Sequence, residues 1–172
     1  RSVSSAASDV YKRQGERPFP DFLSNYLPQK KGDIFDENSN LIGKHNGVHF
    51  YTLGQRQGLG IGGVKGSSEQ PWYVAAKDNL NNSLTLVQDN NHPLLLNSEL
   101  KVKKINWLIS KLPNLNNLNC KIRYRQKDQL CSLEETSNGW VVSFKEPQRA
   151  ITPGQSIVFY DGDTCLGGGE ID

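Results

Sequence analysis

Methionine is missing from all 172 residues, and the chain also has no Cys-x-x-Cys pair and no G-x-S-x-G turn. The absent methionine implies a processed or partial chain, and we read it as partial. No apolar run reaches the roughly 18 residues that a membrane helix needs, which predicts a protein with no membrane partner. Only three cysteines occur, Cys120, Cys131 and Cys165, odd in number and widely spaced. That pattern excludes a zinc ribbon and a disulfide framework and predicts a reducing, cytoplasmic setting. Histidine is equally sparse. His45 and His49 fall on a strand pattern with no third ligand nearby, so no metal site is expected. No paired carboxylates stand in an apolar setting, and no catalytic residue can be nominated within the chain.

What the sequence does have is glycine, concentrated between His45 and Gly63 in HNGVHFYTLGQRQGLGIGG. Each glycine costs roughly 0.5 to 1 kcal/mol of chain entropy relative to alanine, so the run around Gln55 and Arg56 implies a backbone with special demands. A dinucleotide loop would follow a strand, open a helix and be answered by an acidic residue about 20 positions on. Here the run leads into SSEQPWYV. A glycine-rich connector between strands fits better.

The first fourteen residues, RSVSSAASDVYKRQ, are small and polar with a basic end. They read as an appended, disordered, non-native tail. Pro18 to Leu27 carries Phe19, Phe22, Leu23, Tyr26 and Leu27 at helical spacing, which predicts one short amphipathic helix. Strand signals follow. GDIFD and LIGKH flank the turn ENSN, VHFYTL continues, and WYVAAKD and SLTLVQD flank an Asn-rich turn. This reads as a succession of hairpins. Turn residues are densest from Gln88 to His92, which predicts a central domain over 15–88 and a second domain over 89–172.

The second domain holds LKVKKINWLI, CKIRYRQ, QLCSLEE, GWVVSFK, SIVFYDG and TCLGGGEI with no helix between them. Hairpin signals at Asn138-Gly139 and Asp161-Gly162-Asp163 and a tight turn at Pro153-Gly154 separate them. The fold class expected is mainly β: a small β-rich central domain with one short N-terminal helix, then a C-terminal antiparallel β-barrel.

Without the tail the chain has 17 basic and 17 acidic residues. Global charge therefore names no partner, but its distribution does. Eight Lys or Arg and no acid lie between Leu100 and Lys127, whereas eight acids face only Lys145 and Arg149 from Asp128 onward. A basic stripe suits a polyanion, and lysines blunting a sheet edge would give the same pattern. In Lys121-Ile122-Arg123-Tyr124-Arg125-Gln126, strand alternation would put Lys121, Arg123 and Arg125 on one face and Ile122 and Tyr124 on the other. Arginine forks onto phosphate and an exposed tyrosine stacks on an unpaired base. The structural alternative is Tyr124 in the core with the arginines paired to acids of the C-terminal third.

Taken together, GERPFPDFLSNYLP, GKHNGVHFYTLGQRQGLGIGG, PWYVAAKD, HPLLL, IRYRQ, EPQRAITPGQSIVFYDG and CLGGG resemble the tRNA-specific 2-thiouridylases over 15–172. Those enzymes replace the 2-oxygen of the wobble uridine with sulfur. The resemblance implies that an amino-terminal PP-loop domain binds ATP with magnesium, that two cysteines handle the sulfur, and that a relay protein donates persulfide. The second cysteine precedes a G-E-R segment. Gly15-Glu16-Arg17 matches that segment, but the SGGVDS-like loop and both cysteines have no counterpart here, so no cofactor is expected in this chain. Cys120, Cys131 and Cys165 match neither and read as small core residues.

For this portion the resemblance implies tRNA binding through Arg123, Tyr124 and Arg125, with Gln155 in a second contacting segment. It assigns Gln55 and Arg56 to the central signature, touching RNA or bracing the catalytic domain. The expected whole is an ATP-dependent tRNA-uridine 2-sulfurtransferase, inactive as this portion alone. A free-standing β-barrel that binds RNA or another partner is the alternative.

Overall fold

The computed structural model describes residues 22–61, 68 and 70–172. The expected tail, Pro18 to Asp21 of the expected helix, and Gly62 and Gly63 lie outside the described residues. At Phe22 to Leu27 the chain makes a helical turn, closed by the Leu27 amide donating to the Leu23 carbonyl at 2.9 Å.

Four strands form the first sheet: β1 (Gly32–Phe35), β2 (Leu41–His45), β3 (Trp72–Asp78) and β4 (Ser83–Gln88). Asp36 and Asp78 explain the tight turns after β1 and β3. Asp36 Oδ1 accepts the Asn38 and Asn40 amides, and Asp78 Oδ1 accepts those of Leu80 and Asn81, which satisfies turn donors that no strand partner reaches. Hairpins account for only part of this sheet. Its order is β2-β1-β4-β3, and β1 and β4 run parallel, Ile34 opposite Leu84. Both strands are central, and Ile34, Val74, Leu84 and Leu86 are wholly buried beneath Val48, Tyr51 and Leu59. The expected succession of hairpins is corrected to two hairpins joined by a parallel pair.

The expected strand at Val48 is also corrected. Val48–Phe50 is a single 3-10 turn entered through Gly47 at φ 142°. Val48 and Tyr51, three apart, both enter the core, which suits a turn rather than the period of two of a strand. His45 and His49 consequently share no strand face. His45 is buried at the end of β2, and its Nδ1 accepts the Gly47 amide at 3.0 Å. That leaves the proton on Nε2, which donates to the Asn82 carbonyl at 3.1 Å. Both ring nitrogens are occupied, and burial pushes the imidazole below its ordinary pKa.

A second 3-10 turn, Pro93–Leu95, leads into six strands: β5 (Leu96–Trp107), β6 (Leu118–Lys121), β7 (Gln129–Thr136), β8 (Gly139–Arg149), β9 (Ser156–Asp161) and β10 (Thr164–Ile171). They close as a barrel in the order β10-β5-β8-β7-β6-β9, every pair antiparallel. Alternation along the strands fills the interior with Leu100, Val102, Val142, Phe144, Ile157 and Phe159. β10 carries Gly167, Gly168 and Gly169 because neighbouring backbone lies where side chains would stand: a Cβ on Gly168 would be 2.6 Å from the Ile157 carbonyl oxygen.

Cys120 and Cys131 are free thiols in this core, on the paired strands β6 and β7. Contact with Cys131 and burial hold the Cys120 thiol well above its usual pKa, hence protonated. Cys165 is exposed, correcting its expected core role. Its neighbour Leu166 takes the inward position, and alternation turns Cys165 to solvent.

The two units meet at the start of β5. Tyr73, Val87 and Leu95 form a small buried cluster, and the Ala150 amide, at the end of β8, donates to the Leu95 carbonyl at 2.6 Å.

Candidate nucleic-acid interface

β6 stops at Lys121, and the residues after it do not continue as a strand. The Ile122 amide turns to the side chain of Gln126 at 2.9 Å, and the Gln126 amide donates to the Arg123 carbonyl at 3.1 Å, closing a turn. The expected alternation therefore fails beyond Ile122. Ile122 is buried, but Tyr124 is 95% exposed, with Arg123 and Arg125 exposed on either side of it. The alternative of a core tyrosine and acid-paired arginines is overturned as well. Among the described residues neither arginine has a carboxylate within salt-bridge distance, and Arg123 Nη2 donates instead to the carbonyls of Ala150 (3.2 Å) and Arg149 (3.4 Å).

Three glutamines fix this turn to the barrel. Gln126 Nε2 donates to Gln148 Oε1 at 2.7 Å, and Gln148 Nε2 donates to Gln129 Oε1 at 3.0 Å and to the Glu146 carbonyl at 2.7 Å. Gln129 Nε2 ends the chain on the Lys127 carbonyl. Gln148, only 4% exposed, thus has its amide fully engaged at the centre of the chain. A satisfied polar network of this kind specifies one geometry for the loop it holds. Beside it runs an open groove of about 490 Å³ lined by Arg123, Arg125, Gln126, Gln129, Glu146 and Arg149, among others.

The basic stripe does not survive folding as one surface. In the β5–β8 pair Leu96 lies opposite Arg149 and Val102 opposite Trp140, so Lys103 and Lys104 sit at the far end of the barrel from the Arg123 turn, roughly 20 Å along the strand. Lys103 pairs with Asp172 at 2.8 Å. Lys121 pairs with Asp128 at 3.1 Å and lies over the Tyr160 ring. Among the described residues the cations near the turn without a carboxylate at salt-bridge distance are Arg123, Arg125, Lys127 and Arg149.

Arg149 projects from the end of β8 into the first unit. Its Nε donates to the Asn90 carbonyl at 2.8 Å, its Nη2 reaches the Gly54 carbonyl at 3.4 Å, and its guanidinium lies 5.1 Å from the Tyr73 ring centre. Gly54, at φ 77°, is held on β3 by its amide donating to the Val74 carbonyl at 2.8 Å. Gln55 follows, with its side chain committed to its own loop: Oε1 accepts the Thr52 amide and Nε2 donates to the Gln57 carbonyl, both at 2.9 Å. Arg56 is exposed. Gln155, at the turn after Pro153-Gly154, has an exposed side chain, while its carbonyl accepts the Ile171 amide.

Two family models match the chain: the tRNA methyl transferase PRC-barrel domain over 20–88 and the aminomethyltransferase beta-barrel domain over 97–171. Over 160 residues it is 56% identical to the tRNA-specific 2-thiouridylase MnmA of Francisella philomiragia, covering 91% of this chain and 44% of that protein. Against the MnmA of Pseudomonas fluorescens it is 52% identical over 159 residues, covering 92% and 42% respectively. The chain is similar to the tRNA-specific 2-thiouridylases over the part of them that it spans. It spans less than half the length of these relatives.

The described part of the glycine-rich segment does not have the form of a nucleotide loop. The glycine-rich segment runs through turns from Leu53 to Ile61 and opens no helix there, so no row of helix-terminal amides faces a phosphate. Among the described residues no three metal-ligating side chains gather, and no helix is long and apolar enough to cross a membrane. Residue-by-residue reading missed Gln126, Gln129, Gln148 and Arg149. Gln148 and Arg149 stand in EPQRAITPGQS and Gln126 in IRYRQ, but nothing local shows that they meet.

Proposed function

We propose that this chain is the tRNA-holding portion of an ATP-dependent tRNA-specific 2-thiouridylase that makes 2-thiouridine at the wobble position in the cytoplasm. The observation that carries the reading is Tyr124, bare to solvent between two arginines without carboxylate partners, on a turn held by three linked glutamines. Arg123 and Arg125 contact backbone phosphates, and the Tyr124 ring stacks on an unpaired base. Gln155 adds a polar contact from the following turn. Gln55 shapes the loop that presents Arg56, so its part is support and Arg56 makes the contact. The chain divides into a central domain over 15–88 and a barrel domain over 89–172.

Thiolation requires the uridine to leave the stack of the anticodon loop, because its 2-position is out of reach inside it. Grip on the rest of the tRNA offsets the cost of that extrusion. ATP with magnesium, the sulfur-handling cysteines and the docking of a persulfide donor belong to residues outside this chain's 172.

A mobility-shift titration of the chain with total tRNA at two salt concentrations tests the reading. Binding that weakens as salt rises, and weakens further in Arg123→Ala and Arg125→Ala, is expected. Absence of binding at low salt would sink it.

A further inference from the structure

We propose that the junction of the two units is a seat for a single backbone phosphate, built by Arg149 of β8 together with Arg123, which deepens the tRNA-holding reading and rests on it. Arg123 and Arg149 line one groove, whose lining also includes Glu146. Arg123 donates to the carbonyl of Arg149 itself, so the two residues are in direct contact, and neither has a carboxylate within salt-bridge distance among the described residues. Arg149 is half-buried, and its guanidinium is disfavoured first by burial and then by the charge of Arg123. Like charges lining one partly desolvated groove carry a standing cost, which an anion bound there would offset.

The arrangement is also built rather than incidental. Arg149 uses Nε on Asn90 and Nη2 on Gly54, while the Tyr73 ring covers one side of its guanidinium. These contacts pin the head group and leave Nη1, which lies against Gly54, without a hydrogen-bond acceptor among the described residues, as one donor for a phosphate oxygen. Ala150 holds the left-handed conformation, φ 52°, and with it the carbonyls of 149 and 150 both reach Arg123. Strain of this kind at a non-glycine residue persists where surrounding contacts over-determine it. Here they are the Ala150 amide on Leu95 and the two carbonyls on Arg123. Gln148, one residue before Arg149, anchors the turn that carries Arg123. Residues 148, 149 and 150 thus each set one part of the seat.

The test uses the salt dependence of tRNA affinity in the full chain. Removing one phosphate contact should reduce the slope of log affinity against log salt by about 0.7 to 0.9. Total tRNA is titrated at four salt concentrations against the unaltered chain, Arg123→Ala, Arg149→Gln, Arg149→Lys and Tyr73→Leu. Arg149→Gln keeps an amide donor for Asn90 but no charge, and should lower the slope by one such increment. Arg149→Lys should keep the slope while binding more weakly, because a lysine lacks the planar head group that Asn90, Gly54 and Tyr73 hold in place. Tyr73→Leu leaves the charge in place and should also keep the slope. If Arg149→Gln binds with an unchanged slope while Arg123→Ala drops by an increment, the seat is overturned and tRNA holding stands. If the unaltered chain binds no tRNA at any salt, the broader reading fails instead. Should Arg149→Gln not fold, Arg149→Lys decides by affinity: weaker binding than the unaltered chain at every salt concentration supports the seat, and equal affinity at every salt concentration overturns it.

Discussion

Gln126 donates its side-chain amide to the buried carbonyl oxygen of Gln148 at 2.7 Å, and with the bonds of Arg123 to the Arg149 and Ala150 carbonyls it ties the exposed turn at Tyr124 to the end of β8. Gln148→Leu removes both halves of the glutamine chain and leaves the side chains of Gln126 and Gln129 without their partner. Stability should fall by about 1 to 3 kcal/mol, the cost of unpaired buried polar groups. Urea denaturation would measure it. Hydrogen exchange should show the 122–129 amides losing protection before the rest of the barrel, and uniform loss across the barrel would contradict the tether.

Tyr124→Ala separates binding from folding. The ring is 95% exposed and supports nothing beneath it, so the melting temperature should stay as it was. Affinity for tRNA should drop by about 1 to 3 kcal/mol, the worth of one base stacked on an aromatic ring, with the salt slope unchanged. Equal affinity by mobility shift would remove Tyr124 from the interface.

Gly54→Ala should loosen the junction. Gly54 has φ 77°, and an added Cβ would lie 2.7 Å from the Ala150 side chain. The left-handed conformation alone costs roughly 1 to 2 kcal/mol for alanine, and relief of the clash has to move the loop or the end of β8. A lower thermal midpoint in calorimetry is expected. An unchanged midpoint would show that the two units do not press together at this point.

His45 should make stability depend on pH. Burial lowers its pKa in the folded chain, so the unfolded chain binds the proton more readily. The stabilisation is complete above the unfolded value of about 6.5 and is lost as pH falls through and below it. Urea midpoints should decline from pH 7 to pH 5. His45→Gln should flatten this decline while lowering stability at pH 7, because the ring packs against Tyr51 as well as bonding Gly47 and Asn82. A decline of equal steepness in the variant would assign the pH dependence elsewhere.

No 2-thiouridine should form when the chain is incubated with tRNA, ATP, magnesium and a persulfide donor. Cys120 and Cys131 are buried, and Cys120 is held protonated, which disarms it as a nucleophile. Mass spectrometry of digested tRNA gives the answer, and any thiolated nucleoside would place the chemistry within these residues.

What could be read along the sequence was whatever depends on near neighbours. The period of two in WYVAAKD, SLTLVQ and SIVFYD marked β3, β4 and β9, and Asn-Gly and Pro-Gly marked turns, because alternation and turn chemistry act over a few residues. The long motifs carried the family resemblance in the same local way. Where alternation misled, at Val48 and at Tyr124, a competing local bond won: the 3-10 turn after Gly47 in the first case, and Gln126 capturing the Ile122 amide in the second.

Tertiary structure alone decided the parallel pairing of β1 with β4 and which cations keep their charge free. Lys103 and Lys121 belong to the same basic run as Arg123, yet the C-terminal end of the barrel gives Lys103 its Asp172 and the β6–β7 connection gives Lys121 its Asp128, while among the described residues Arg123 and Arg125 have no carboxylate at salt-bridge distance. The reach of Arg149 to Gly54 joins residues 95 positions apart. Such contacts follow from the register in which distant strands close, and no spacing along the chain encodes that register.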